Sequence, residues 1–251
     1  MNYLQYKAAF ADDGFVVVPQ LLSAAALTEL KANVDRYIRD IVPGVSEADA
    51  FYQDRNRPAT LKQLYRMERD PFFAAMVDDP VWRGLGETLL DEPLSLVHTP
   101  RWFNKPPNTE AVTPPHQDNY YFCLRPPNIL AIWVALERAD QTNGCLHYVR
   151  GSHKAGVRPH SVTEVLGFSQ GISDYGPADV NNEAMIELQA GDAVVHHGDT
   201  IHRTDPNMSG RLHRPAISMV CQGVSAQLDT AAQARYLSAM REQQSALNST
   251  P

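Results

Sequence analysis

Apolar side chains in the first third of the chain recur at three- and four-residue intervals. Leu27, Leu30, Val34, Tyr37 and Ile41 form one such stripe, with Ser23 placed to cap it and Pro43-Gly44 to end it. Asp70-Pro71 and Asp79-Pro80 each pair a capping acid with a proline suited to a first helical turn. Phe72, Phe73, Met76 and Val77 make the apolar face after the first pair, and Val81, Leu85 and Leu89 the face after the second. One strand is expected in this part, the β-branched run Phe15-Val16-Val17-Val18 closed by Pro19. From about residue 94 the pattern changes to short β-rich runs between Pro, Gly, Asn and Asp clusters, at 94–97, 129–136, 145–149, 185–188, 193–197 and 216–221.

Helices first and short strands afterwards predict an α+β fold, with helices bracing one face of a β-sandwich or barrel. The expected organisation is a single domain over 1–251, with a helical part at about 1–93, a β core at about 94–223, and a C-terminal helix and tail at 224–251. Residues 154–183 carry few periodic apolar positions and several Gly and Pro. They read as a long loop of the kind that serves as a lid. The last residues, 248–251, are expected to fray.

Composition narrows the class. With 43% hydrophobic and 20% charged residues the chain has ordinary globular usage, which excludes a disordered, coiled-coil or collagen-like protein. A net charge of −7 repels phosphate backbones, so a nucleic-acid partner is not expected. Cys123, Cys145 and Cys221 are an odd count without CxxC spacing and read as buried reduced thiols. There is no leader pattern and no apolar stretch near the roughly 18 residues of a membrane span, so a cytoplasmic protein with no membrane partner is expected.

The chemistry lies among the nine histidines. In an extended chain His116 and Asp118 point to the same side and can present an imidazole and a carboxylate to one point. His202, after the turn–strand–turn pattern that starts at Gly191-Asp192, is the best third ligand. Two histidines and one carboxylate with the other positions open are the arrangement of non-haem iron(II) oxygenases, whereas structural zinc favours four closed ligands. Downstream, Arg211 and Arg214 are both candidates for a cation that grips a carboxylate through parallel hydrogen bonds. His98, His147, His153 and His160 read as packing or surface residues. Of the adjacent His196 and His197, at most one can point inward.

Beyond these residues, the chain resembles the phytanoyl-CoA dioxygenase family of iron(II)- and 2-oxoglutarate-dependent oxygenases, from about residue 10 to 222. The resemblance is carried by Asn104-Lys105-Pro106-Pro107, by the segment from His116-Gln-Asp to Phe122, by Ala131-Ile-Trp-Val-Ala-Leu-Glu, by Asn143-Gly-Cys-Leu through Gly151-Ser-His-Lys, by Gly191-Asp192 to His202, and by Asn207 to Arg214. It implies a double-stranded β-helix (a jelly-roll, cupin-like core) with His116, Asp118 and His202 as ligands of Fe(2+). It also implies Arg214 on the distal carboxylate of 2-oxoglutarate, Thr204 as a neighbouring hydroxyl and Trp133 on the pocket wall. Lys62 and Arg101 match by position family residues that reach cosubstrate or substrate. The implied reaction uses O2 to hydroxylate a small-molecule C–H bond and releases succinate and CO2.

One departure stands out. The step from His202 to Arg214 is one residue longer than the family's, and His213 falls where the arginine is expected. The following Pro-Ala-Ile-Ser favours Arg214 with a one-residue insertion, and Arg211 is the fallback. Two other classes fit the same ligands: a catalytically silent β-helix binding module, and a cupin-type metal-dependent lyase or isomerase that needs neither Arg214 nor oxygen. Arg101, Lys105, Arg125 and Arg150 suggest a small polar or anionic substrate.

Overall fold

The computed structural model describes residues 2–163 and 170–248, with side chains through residue 241. Two antiparallel sheets face each other. The major, eight-stranded sheet runs in the order Phe15–Val18, Ala193–His197, Ile129–Ala135, Ala216–Gly223, Arg101–Phe103, Leu61–Leu64, Ala50–Tyr52, and Leu94–Val97 pairs with the far end of Ala216–Gly223. The minor sheet runs Glu183–Ile186, Leu146–Val149, His202–Thr204, Thr113–His116. This is the expected α+β architecture with a double-stranded β-helix core.

The period-two alternation of each strand sorts its side chains between two layers. All seven residues of Ile129–Ala135 are buried because both faces of this strand are covered. Leu130, Ile132 and Val134 join Val195, Ile217 and Met219 under the helices. Trp133 and Ala135 join Val194, Ala216, Leu146 and Tyr148 between the sheets.

Helices Ala24–Asp40, Pro71–Ala75 and Pro80–Leu90 cover the outer face of the major sheet with Leu30, Tyr37, Phe73, Trp82 and Leu85. Their starts are fixed by the residues the sequence singles out. Ser23 Oγ accepts from Ala26 N at 3.2 Å, Asp70 from Phe72 N at 3.1 Å and Asp79 from Val81 N at 2.8 Å. Asp70 has a second partner, the Arg36 guanidinium, whose two nitrogens donate to its two oxygens at 2.8 and 2.7 Å.

The Arg36 bond holds the Asp70 carboxyl below its ordinary value despite burial. Its stabilising contribution is therefore complete above the unfolded-state pKa of about 3.9 and is lost as pH falls through the lower folded-state value. Asp70→Ala is expected to cost about 1–2 kcal/mol in urea unfolding at pH 7, the scale of a lost helix cap, and the difference from wild type should shrink in acid.

Several expectations are corrected. The first third holds two further strands, Ala50–Tyr52 and Leu61–Leu64, which extend the major sheet; they are too short and too polar in alternation to register as runs. The strand expected at 185–188 is Glu183–Ile186, paired with Leu146–Val149. The region 154–183 is not structureless. It contains the paired strands His160–Val162 and Gln170–Ile172 and the short helix Pro177–Asn181. The part of the expected lid at 164–169 lies outside the described residues, as do residues 249–251 of the expected frayed tail; the C-terminal helix itself is Thr230–Asn248.

Candidate active site

His116 ends one strand of the minor sheet and His202 begins its neighbour, in direct register with each other. Asp118 arrives differently from the extended geometry expected of the HxD pair. The strand stops at His116, and Asp118 has helical dihedrals (φ −60°, ψ −39°) at the start of the short helix Asn119–Phe122. Its carbonyl accepts from Tyr121 N and Phe122 N, so the backbone turns away while the carboxylate stays beside the strand end. Asp118 Oδ1 lies 3.7 Å from His116 Nε2 and 3.8 Å from His202 Nε2. Among the described residues these three form the one group of candidate metal ligands, with one ligand atom from each, all within 4.8 Å of one another.

Each imidazole is oriented from behind. His116 Nδ1 is 2.9 Å from Pro114 O, and His202 Nδ1 is 2.9 Å from Thr200 O. A carbonyl oxygen only accepts, so each Nδ1 carries the proton and each Nε2 keeps its lone pair for a cation. Burial pushes both imidazoles below their ordinary pKa, which keeps them neutral. Burial alone would raise Asp118, but the His196 hydrogen bond and the surrounding imidazoles outweigh it and hold the carboxyl well below the usual range. Two neutral imidazoles and one carboxylate suit a divalent transition metal.

The triad opens into a cavity of about 360 Å³ between the sheets, and all eight residues singled out from sequence line it: His116, Asp118, His202, Arg214, Thr204, Trp133, Lys62 and Arg101. A chain of net charge −7 thus gathers four basic side chains in one cavity, since Lys105 also lines it. Arg214 is 5% exposed, its Nη1 donates to Gly144 O at 2.8 Å, and its guanidinium lies 5.2 Å from the Trp133 ring centre. Its Nε is buried without a hydrogen-bond partner, and no acidic side chain among the described residues pairs with it. Burial lowers it to about 10, so it remains charged at neutral pH. A buried cation with an orphan donor is costly unless a carboxylate completes it.

Thr204 presents the matching hydroxyl. Its Oγ1 accepts from Lys105 Nζ at 2.7 Å and from Thr113 N at 3.2 Å, which leaves its own proton to donate. Lys105 also donates to the carbonyls of Asp205 and Ala111. Burial, with Arg214 and Lys62 nearby, pushes its amine down to about 6. Gly144 is left-handed (φ +82°), and a Cβ there would lie 2.5 Å from Asp205 O and 2.9 Å from Lys105 Cδ; only glycine lets the carbonyl that anchors Arg214 approach so closely.

Arg211 is exposed and outside the cavity, and His213 is exposed and bonds Asn104. In the loop before Arg214, Asn207 Nδ2 donates to Lys105 O and Leu212 O. His98, His147, His153 and His160 are indeed packing groups: His98 against Phe122, His147 bonded to Asp205, His153 to Ala11 O, and His160 stacked on Tyr120. Of the adjacent pair, His196 points inward and reaches Asp118 Oδ2 at 3.1 Å, a contact the sequence reading did not anticipate; His197 packs by Phe10. The single inward alternation of its strand was the available signal. Lys105 was legible as a possible anion contact and as part of the lysine-proline segment, but its role as a clamp on Thr204 depends on a residue about a hundred positions away.

A double-stranded β-helix with two histidines and one carboxylate converging on the wall of a cavity lined by basic side chains has the donor set of mononuclear non-haem metal proteins. The phytanoyl-CoA dioxygenase family model matches residues 10–216, and the chain belongs to that family. Mouse peroxisomal phytanoyl-CoA dioxygenase is 29% identical over 220 residues, which cover 81% of this chain; the chain spans 64% of that relative's length. EvdO2 from Micromonospora carbonacea var. aurantiaca, solved in complex with 2-oxoglutarate, is 26% identical with a TM-score of 0.70, and the match covers 91% of this chain and 94% of that one. EctD from S. alaskensis shares the fold at 18% identity, with a TM-score of 0.73 over 90% of this chain and 78% of its own. Among the described residues no helix is long and apolar enough to cross a membrane.

Proposed function

We propose that this chain is an iron(II)- and 2-oxoglutarate-dependent oxygenase that hydroxylates a C–H bond of a small anionic molecule. The carrying observation is one cavity that holds both the converged His116, Asp118 and His202 and the buried, carboxylate-free Arg214. Both features fit the implied groups: the donor set suits iron, and the orphan Nε of Arg214 with the Thr204 hydroxyl suits the distal carboxylate of a keto diacid. When bound, iron and 2-oxoglutarate supply the oxidising chemistry, in which O2 and the cosubstrate are converted to succinate, CO2 and a hydroxylated product.

The chain's own residues bind, orient and exclude water. His116, Asp118 and His202 hold the metal by one atom each. Arg214 and Thr204 fix the cosubstrate's far end, and Trp133 closes the wall beneath the guanidinium. Tyr121, which donates to Gln170 O at 2.5 Å, ties the strand Gln170–Ile172 to the cavity wall. An oxygen-independent lyase would not need Arg214 in this position, and a silent binding module would hold its ligand without releasing succinate. Iron-dependent release of succinate from 2-oxoglutarate under air, and its loss under nitrogen, supports the oxygenase; turnover that persists without oxygen rejects it.

The anionic substrate rests on Lys62 and Arg101. Neither has an acidic partner among the described residues, and Arg101 lies over the Tyr65 ring at 5.4 Å. With Arg214 committed to the cosubstrate, Arg101 is free to receive a second anion. Arg101→Met is expected to lower kcat/KM for a carboxylate or phosphate ester that stimulates succinate release by about 10- to 100-fold, the scale of a hydrogen bond to a charged group, while the 2-oxoglutarate KM changes little. Stimulation by neutral compounds alone, equal in variant and wild type, would reject the anion.

In this reading 1–251 is one oxygenase domain, supported by the pairing of Phe15–Val18 and Leu61–Leu64 into the same sheet as the core strands. The three buried free thiols favour a reducing compartment, the cytoplasm.

A further inference from the structure

We propose that His196, held by Tyr148, is a positioning residue that reserves one oxygen of Asp118, so that the carboxylate offers only its other oxygen to the metal. The inference rests on the metal reading given above. The two oxygens of Asp118 have different neighbours. Oδ1 faces His116 Nε2 and His202 Nε2 at 3.7 and 3.8 Å, whereas Oδ2 is 3.1 Å from His196 Nε2. His196 Nδ1 is in turn 3.0 Å from the Tyr148 hydroxyl.

Proton directions along this chain are determined by its ends. An ionised carboxylate only accepts, so His196 Nε2 carries the hydrogen and donates it to Oδ2. Nδ1 then holds the lone pair and accepts from the Tyr148 O–H. A tyrosine hydroxyl carries one proton to donate. With Nε2 donating to Oδ2 and Nδ1 accepting from the hydroxyl, every group of the chain has a partner.

The arrangement is rigid because it bridges both sheets. Tyr148 is fully buried on the minor sheet beside His202, and its ring stacks on Phe15 with 4.8 Å between centres. Phe15 pairs in register with His196 on the major sheet, which returns the contact to its origin. Tyr148 therefore cannot turn without breaking the packing between the sheets.

The consequence concerns coordination number. Were a metal held by His116, Asp118 and His202 through one atom each, positions would remain around it for the keto-acid cosubstrate and O2. A carboxylate that binds through both oxygens would take one of them. The His196 N–H occupies the oxygen that would do so. Groups that hydrogen-bond to a metal's ligands commonly change metal affinity by about 10- to 100-fold.

The test uses the full chain, Co(II) as the probe, competition against a chromophoric chelator, and the visible absorption of the bound ion, with no cosubstrate and no activity measured. His196→Phe is expected to lose about 10- to 100-fold in Co(II) affinity and to alter the ligand-field spectrum. His196→Gln, whose amide N–H can still donate, should recover most of both. Tyr148→Phe, which loses one hydroxyl, should shift both in the direction of His196→Phe but less. Wild-type affinity and spectrum in a folded His196→Phe, or equal losses in the Phe and Gln variants, would overturn the proposal. If the Phe variant does not fold, unchanged Co(II) binding and spectrum in Tyr148→Phe overturns it. Failure of the wild-type protein to take up Co(II) would instead refute the metal reading.

Discussion

Asp118→Ala and His202→Ala are each expected to reduce 2-oxoglutarate turnover by at least about a thousandfold, since the Lewis-acid contribution of a bound metal is worth several kcal/mol and each 1.36 kcal/mol is tenfold in rate. The two losses have different physical causes. Asp118 supplies the only negative charge of the three ligands, so its removal leaves two neutral imidazoles to hold a divalent ion. It also strips the buried His196 of its acceptor. His202 lies between the other elements of the site, in register with His116 on one side and Tyr148 on the other. Its removal takes away an imidazole already oriented by Thr200 O. Metal content, succinate release and thermal melting measured on the same preparations check the prediction. Folded variants that keep their metal and full turnover would show that the ligands lie elsewhere.

Arg214→Ala is expected to raise the 2-oxoglutarate KM by about 30-fold or more, because truncating one member of a buried charge pair costs roughly 2–5 kcal/mol. Arg211→Ala is expected to leave it unchanged, since that side chain is exposed and outside the cavity. The contrast is more informative than either value. Both arginines lie within four residues of each other and carry the same charge, so a general electrostatic effect would move both. Only Arg214 combines burial, a carbonyl anchor on Gly144, a ring beneath it and an unsatisfied Nε. Lys105→Met offers a graded companion. Loss of its bond to Thr204 Oγ1 frees that hydroxyl to rotate, so the KM should rise less than in Arg214→Ala. A larger effect from Arg211 than from Arg214 would mean that the extra residue of this loop has been placed wrongly.

How legible each part was follows from whether its cause is local. The helix starts at Ser23, Asp70 and Asp79 are decided by one side chain and the backbone two or three residues on, and all three form as read. The long apolar run 129–136 could be read as a buried strand, and it sits at the centre of the major sheet. The strands Leu61–Leu64, Thr113–His116 and His202–Thr204 were too short to carry a period of their own. They exist because a neighbouring strand completes their hydrogen bonds. The two side chains of the HxD pair do converge, but through a different backbone from the one expected: Asp118 reaches its place by a helical turn, which a two-residue alternation cannot anticipate.

The sequence by itself determined the fold class, the family and the candidate donor and basic residues, because residue type and short-range order fix hydrogen-bonding capacity, charge and periodicity. Tertiary structure alone decided which oxygen of Asp118 faces the other ligands, which arginine enters the cavity, and that His196, Tyr148 and Lys105 belong to the site's support. Those outcomes depend on two sheets meeting face to face, with partners such as Lys105 and Thr204 far apart in the chain and 2.7 Å apart in space. No local rule encodes such a distance, since it is set only when the whole core closes.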